Sequence, residues 1–124
     1  MKGTASDPFK SVTRIDDCLV VALPAEISDD SMRDIANTVT SRAYDSSVTG
    51  AILNFSMLNM IDSYLFGEIL KISKAISLMG VRVIWVGLNP GVVCALMDLN
   101  VKLQDKAIVT AASLDQGLAL LSGQ

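Results

Sequence analysis

Ala51-Ile52-Leu53-Asn54-Phe55-Ser56-Met57-Leu58-Asn59-Met60-Ile61-Asp62-Ser63-Tyr64-Leu65 changes its periodicity along its length. Ala51, Ile52 and Leu53 form a short unbroken apolar run, as in a strand covered on both faces. From Leu65 onward the apolar residues Leu65, Ile69, Ile72, Ile76 and Met79 recur at helical spacing. The stretch predicts a strand over 49–55, a connecting loop, and an amphipathic helix from near Asp62 to near Gly80.

The same alternation continues on both sides. Downstream, residues 81–88 read as a central strand, because Val83, Ile84, Trp85 and Val86 run without alternation. Asn89-Pro90 fits an N-cap with proline at the first helical position, and Val93, Leu96 and Met97 form the expected inward face of a short helix. A small strand over 107–110 follows. Ser113-Leu114-Asp115-Gln116 is a capping box opening a last helix that carries Leu114, Leu118 and Leu121. Upstream, strands over 12–15 and 18–23 flank Asp16-Asp17, a hairpin, and Pro24 ends the second of them. Ser28, Asp29 and Asp30 open a helix whose apolar positions are Met32, Ile35, Ala36, Val39 and Ala43. The fold class is therefore α/β: a mostly parallel central sheet, an N-terminal β-hairpin and four helices. At 124 residues the chain is expected to be one domain, 1–124.

Hydrophobic residues are 51% and charged residues 19%, which excludes a disordered chain, and a net charge of -3 without a basic stripe argues against nucleic acid. No polybasic membrane patch is visible. Residues 1–8 lack the apolar core of a signal peptide, and the most apolar stretch, 81–99, is broken by Arg82, Asn89, Pro90 and Asp98. A cytoplasmic protein is expected. Cys18 and Cys94 both lie among apolar residues and read as two buried thiols.

Catalytic chemistry finds little support. The chain has no histidine, which excludes His-based triads, His metal sites and phosphohistidine carriers. Its two cysteines are too far apart for a redox CxxC or a zinc pattern. Gly87-Leu88-Asn89-Pro90-Gly91 sits where phosphates can bind, yet lacks the Lys-Ser/Thr of a P-loop, and reads as a capped turn. The pairs Asp16-Asp17 and Asp29-Asp30 read as a turn and a helix start; calcium or magnesium would need more oxygen ligands. No cofactor and no metal are expected, and the protein is not expected to be an enzyme.

Ser63 stands out. At ~100° per residue it projects roughly 200° from the mean direction of Leu65, Ile69, Ile72 and Ile76, away from the core. Gly67, Leu70, Lys74 and Ser77 share its face, with Phe66 flanking it. Two readings follow from pattern alone. Ser63 is either the N-terminal cap of a slightly apolar helix surface, or the modifiable centre of a partner-binding face bearing Phe66 and Leu70.

Met60-Ile61-Asp62-Ser63, after an apolar strand and before an amphipathic helix, resembles the phosphorylation motif of STAS domains, which include bacterial anti-anti-sigma factors and stressosome proteins. The resemblance extends over the hairpin, Leu78-Met79-Gly80-Val81-Arg82-Val83 and Gly87-Leu88-Asn89-Pro90. Asp62-Ser63-Tyr64-Leu65 resembles the phosphosite segment of small stressosome subunits that consist of a STAS domain alone. Tyr64-Leu65 replaces the Ser-Gly or Thr-Gly frequent in anti-anti-sigma factors. The second phosphosite of sensor subunits falls near Ala95, which cannot be phosphorylated, and Asn54 stands where many family members have aspartate.

The resemblance implies phosphorylation at Ser63 and partner contacts at Asp62, Phe66, Gly67, Leu70 and Lys74. It implies an oligomer with sensor STAS-domain proteins in a large complex that sequesters a serine/threonine switch kinase. Phosphorylation of Ser63 would release the kinase, and a phosphatase would reset the serine; ATP belongs to the kinase. Two other functions remain open: a free anti-anti-sigma factor binding an anti-sigma kinase, and a small-ligand-binding STAS module of the transporter-tail kind.

Overall fold

The computed structural model describes residues 11–98 and 109–122. The segment 1–8 and positions 107–108 of the expected last strand lie outside the described residues. In chain order the elements are β1 (Val12–Ile15), β2 (Cys18–Ala22), α1 (Asp29–Ala43), β3 (Gly50–Asn54), α2 (Ser63–Leu78), β4 (Arg82–Val86), α3 (Pro90–Asp98), β5 (Val109–Ala111) and α4 (Leu114–Ser122).

The five strands form one sheet in the order β1-β2-β3-β4-β5. Among the described residues β1 pairs antiparallel with β2 and the other three pairs are parallel, so the hairpin forms an antiparallel edge. Asp16 closes the hairpin at a φ of 54°, a left-handed conformation that aspartate tolerates better than most side chains. Asp17 receives a 2.8 Å hydrogen bond from the Thr49 hydroxyl and so ties the hairpin to the entry of β3.

Alternation along the strands divides the interior in two. Leu19, Val21, Ala51, Leu53, Val83 and Trp85 face α1, α2 and α3, whereas Cys18, Ile52, Ile84 and Val86 face α4. Gly117 lets α4 lie flat on the second face, since a Cβ there would sit 2.9 Å from Val86 Cγ1. The expected capping box is present in altered form: Ser113 Oγ accepts the Gln116 amide at 3.3 Å, and Gln116 Oε1 accepts the Ala112 amide.

Three expectations are corrected. In α3 the inward residues are Val92 and Leu96, and Val93 and Met97 are exposed, because a nearly continuous apolar run leaves the helical phase undefined. Cys18 is buried as expected, but Cys94 on α3 is exposed. Along α2 the buried residues are Ile69, Ile72, Ser73 and Ile76, so the inward face takes in Ser73; Leu65 packs against the core only partly buried, and Met79, just past the helix, is exposed.

Candidate functional site

α2 begins at Ser63, and its N-cap is Asp62: the carboxylate oxygen Oδ1 accepts the Leu65 amide at 2.8 Å from an extended backbone. Ser63 is therefore not the cap. It is exposed at the first helical position, where the backbone amides have no intrahelical partner.

The loop delivering Ser63 is held along its length. Phe55, Leu58 and Ile61 are buried, so alternate parts of the loop are drawn into the core. The Phe55 amide donates to the Val86 carbonyl at 2.9 Å, and the Leu58 amide to the Phe55 carbonyl at 3.0 Å. Asn89 Nδ2 donates to the Leu58 carbonyl at 3.1 Å while its Oδ1 caps α3 through the Val92 amide at 2.9 Å. The Asn59 amide reaches the Ala25 carbonyl at 3.2 Å. At the end of β3, Asn54 Oδ1 accepts the Ser56 amide at 3.0 Å. The same oxygen lies 2.9 Å from where a Cβ would stand on Gly87, whose φ of 73° also favours glycine.

The expected partner face separates into two groups. Asp62, Ser63 and Lys74 are exposed, and the half-exposed Gly67 has open space where a side chain would stand. Phe66 and Leu70 are half-buried and packed against the core. Phe66 meets Trp85 edge-on, with ring centroids 5.9 Å apart and an interplanar angle of 80°. They are less available to a partner than their angular positions implied, because Ser73 turns the inward face towards them. Ser73 is 0% exposed, and its hydroxyl accepts Trp85 Nε1–H at 3.0 Å and donates to the Ile69 carbonyl at 2.9 Å.

Two apolar side chains missed in the sequence flank Ser63: Met60, 79% exposed, and Tyr64, 55% exposed. Both line a cleft of about 330 Å³ between the starts of α1 and α2, together with Asp62, Leu65, Ser28 and Met32. Tyr64 directly follows Asp62-Ser63, which is the signal that could have identified it. Among the described residues no cluster of histidine, cysteine or carboxylate side chains could hold a metal, and no helix is long and apolar enough to cross a membrane.

Known structures share this architecture. A serine-to-glutamate variant of RsbS from Moorella thermoacetica superposes with a TM-score of 0.77 at 24% identity, covering 90% of this chain and 93% of that one. A chain from the stressosome, described as a signal integration and transduction hub, gives 0.77 at 24% identity over 90% and 96%. The Bacillus cell-fate determinant SpoIIAA in its phosphorylated form gives 0.66 at 16% identity over 89% and 96%. These similarities establish the fold. None of the curated proteins compared matches the chain significantly. The STAS domain model matches residues 10–104, most of the chain, and with the hairpin, parallel sheet and helix order in agreement, the chain belongs to the STAS domain family.

Proposed function

We propose that this chain is a phosphorylation-regulated binding protein of the stressosome kind, which sequesters a serine/threonine switch kinase and releases it when Ser63 is phosphorylated. The observation that carries the reading is the placement of Ser63, exposed at the first position of α2 beside a cap supplied by Asp62. The comparisons support it in kind: one structural neighbour is a phosphorylated protein and another carries glutamate in place of a serine.

The chemistry asks little of this chain. Ser63 Oγ attacks the γ-phosphorus of ATP held by the kinase; the new O–P bond forms as the bond to ADP breaks, and the hydroxyl proton passes to a base of the kinase. A phosphatase returns the serine by hydrolysis, releasing inorganic phosphate. The phosphate brings a charge of about -1.5 to -2. The amides at the start of α2 favour that charge by about 0.3–1 kcal/mol, whereas Asp62 opposes it. The fold therefore tolerates the phosphate. A partner resting on Met60, Ser63, Tyr64, Gly67 and Lys74 would have to desolvate it, and binding is what changes.

In this reading the chain catalyses no reaction and joins sensor STAS proteins in a larger oligomer. Intact-mass analysis after incubation with the cognate kinase and Mg²⁺-ATP tests the modification. Light scattering with and without a sensor subunit tests the assembly, and an unchanged particle mass counts against it. The similarity to SpoIIAA favours a second reading, a free anti-anti-sigma factor on an anti-sigma kinase. That reading predicts a small complex of the two proteins in place of a large particle.

A further inference from the structure

We infer that Phe66 is a positioning residue for phosphorylation of Ser63, acting through Trp85 and not through contact with the kinase. The inference rests on Ser63 being the phosphoacceptor.

Trp85 is the chain's single tryptophan and is 0% exposed on β4. Its indole meets three anchors. Phe55, where the acceptor loop leaves β3, lies 4.8 Å away between centroids. Phe66, in the first turn of α2, lies 5.9 Å away, edge-on. Ser73, two turns further along, takes the indole N–H at 3.0 Å. One rigid ring thus fixes the loop where it starts and the helix where the loop ends.

Ser63 lies inside that span. The Phe66 amide makes the first backbone bond of α2, 2.9 Å to the Asp62 carbonyl, and the Leu65 amide takes the Asp62 carboxylate at 2.8 Å. Moving the Phe66 ring off Trp85 therefore shifts the backbone that carries the Ser63 hydroxyl. Phosphoryl transfer needs the acceptor oxygen within about 3–3.5 Å of phosphorus, and a misplacement of about 1 Å can cost about 10²-fold in rate.

The test is steady-state phosphorylation of the full chain by its cognate serine/threonine kinase with Mg²⁺-ATP, comparing wild type with Phe66→Leu. Leucine keeps an apolar side chain but removes the ring that meets the indole. The expected result is a fall in kcat of about tenfold or more with KM held within about twofold. A raised KM with unchanged kcat means that Phe66 contacts the kinase directly, and overturns the inference. Trp85→Phe is the second variant: no partner can touch that fully buried position, and the same loss of kcat is expected. If Phe66→Leu does not fold, Trp85→Phe decides, and an unchanged kcat overturns the inference. Wild type that takes no phosphate on Ser63 overturns the acceptor assignment and this inference together. Wild type phosphorylated on Ser63 alongside variants of normal kcat overturns this inference alone.

Discussion

Asp62 Oδ1 receives the Leu65 amide at 2.8 Å, and this leaves the next residue, Ser63, at the start of α2 with its hydroxyl outside the cap. Aspartate and serine are both good N-caps. Because Asp62 takes that role, structural support and chemical exposure fall on neighbouring residues.

Removing the cap is therefore separable from removing the Ser63 hydroxyl. Asp62→Ala should lower stability by about 1 kcal/mol, and Asp62→Asn by only a few tenths, because asparagine caps nearly as well. Ser63→Ala, at an exposed position, should stay within about 0.5 kcal/mol of wild type. Urea unfolding of the three variants checks the order; a larger loss for Ser63→Ala than for Asp62→Ala would contradict the cap assignment.

The buried pair Trp85 and Ser73 gives a stability prediction. Ser73→Ala leaves the indole N–H buried without its acceptor, at a cost of about 1–3 kcal/mol. In a Trp85→Phe background that donor is gone, so the same substitution should cost clearly less. Equal costs in the two backgrounds of a double-mutant cycle would show that the hydrogen bond contributes nothing.

The contrast between Ser63 and Ser73 shows where the sequence was readable. The hairpin, the Ser28 helix start, the Asn89-Pro90 cap and the apolar strand 83–86 were legible because each rests on local chemistry. The exposure of Ser63 was legible from helical spacing. The burial of Ser73 was not, because a serine on a helix reads as outward, and only the indole of Trp85, across the fold on β4, supplies its partner. Overlooking Ser73 also misplaced Phe66 and Leu70, which pack against the core. Leu70→Asp would consequently disturb folding, whereas Gly67 and Tyr64 are cleaner probes of the surface.

Two helix glycines should respond in opposite directions to alanine. Gly67 has nothing within 4 Å of its added Cβ, so Gly67→Ala should stabilise by about 0.5–1 kcal/mol. At Gly117 the Cβ would stand 2.9 Å from Val86 and 3.2 Å from Ile52, so Gly117→Ala should lift α4 from the sheet and cost about 1–3 kcal/mol. Thermal melts decide, and a stabilising Gly117→Ala would contradict the close approach of α4.

The two thiols should react at very different rates. Cys94 is exposed and should be modified promptly by a thiol reagent in the native protein. Burial, reinforced by the Asp17 carboxylate, pushes the Cys18 thiol up to about 11 from an ordinary 9.0, so it should react only on unfolding. Between those two values the unfolded chain loses the proton and the folded one keeps it. The stability linked to Cys18 is therefore complete below pH 9 and lost as pH rises towards 11. Cys18→Ala should remove that part of the alkaline loss. Two equivalents of rapid native labelling would contradict the buried position.

Intact-mass analysis and peptide mapping after incubation with the cognate kinase and Mg²⁺-ATP put the proposed role of Ser63 to the test. Wild type should take up a single phosphate, mapped to Ser63, and Ser63→Ala none despite an unchanged melting curve. Labelling of a folded Ser63→Ala protein to the wild-type extent would contradict it.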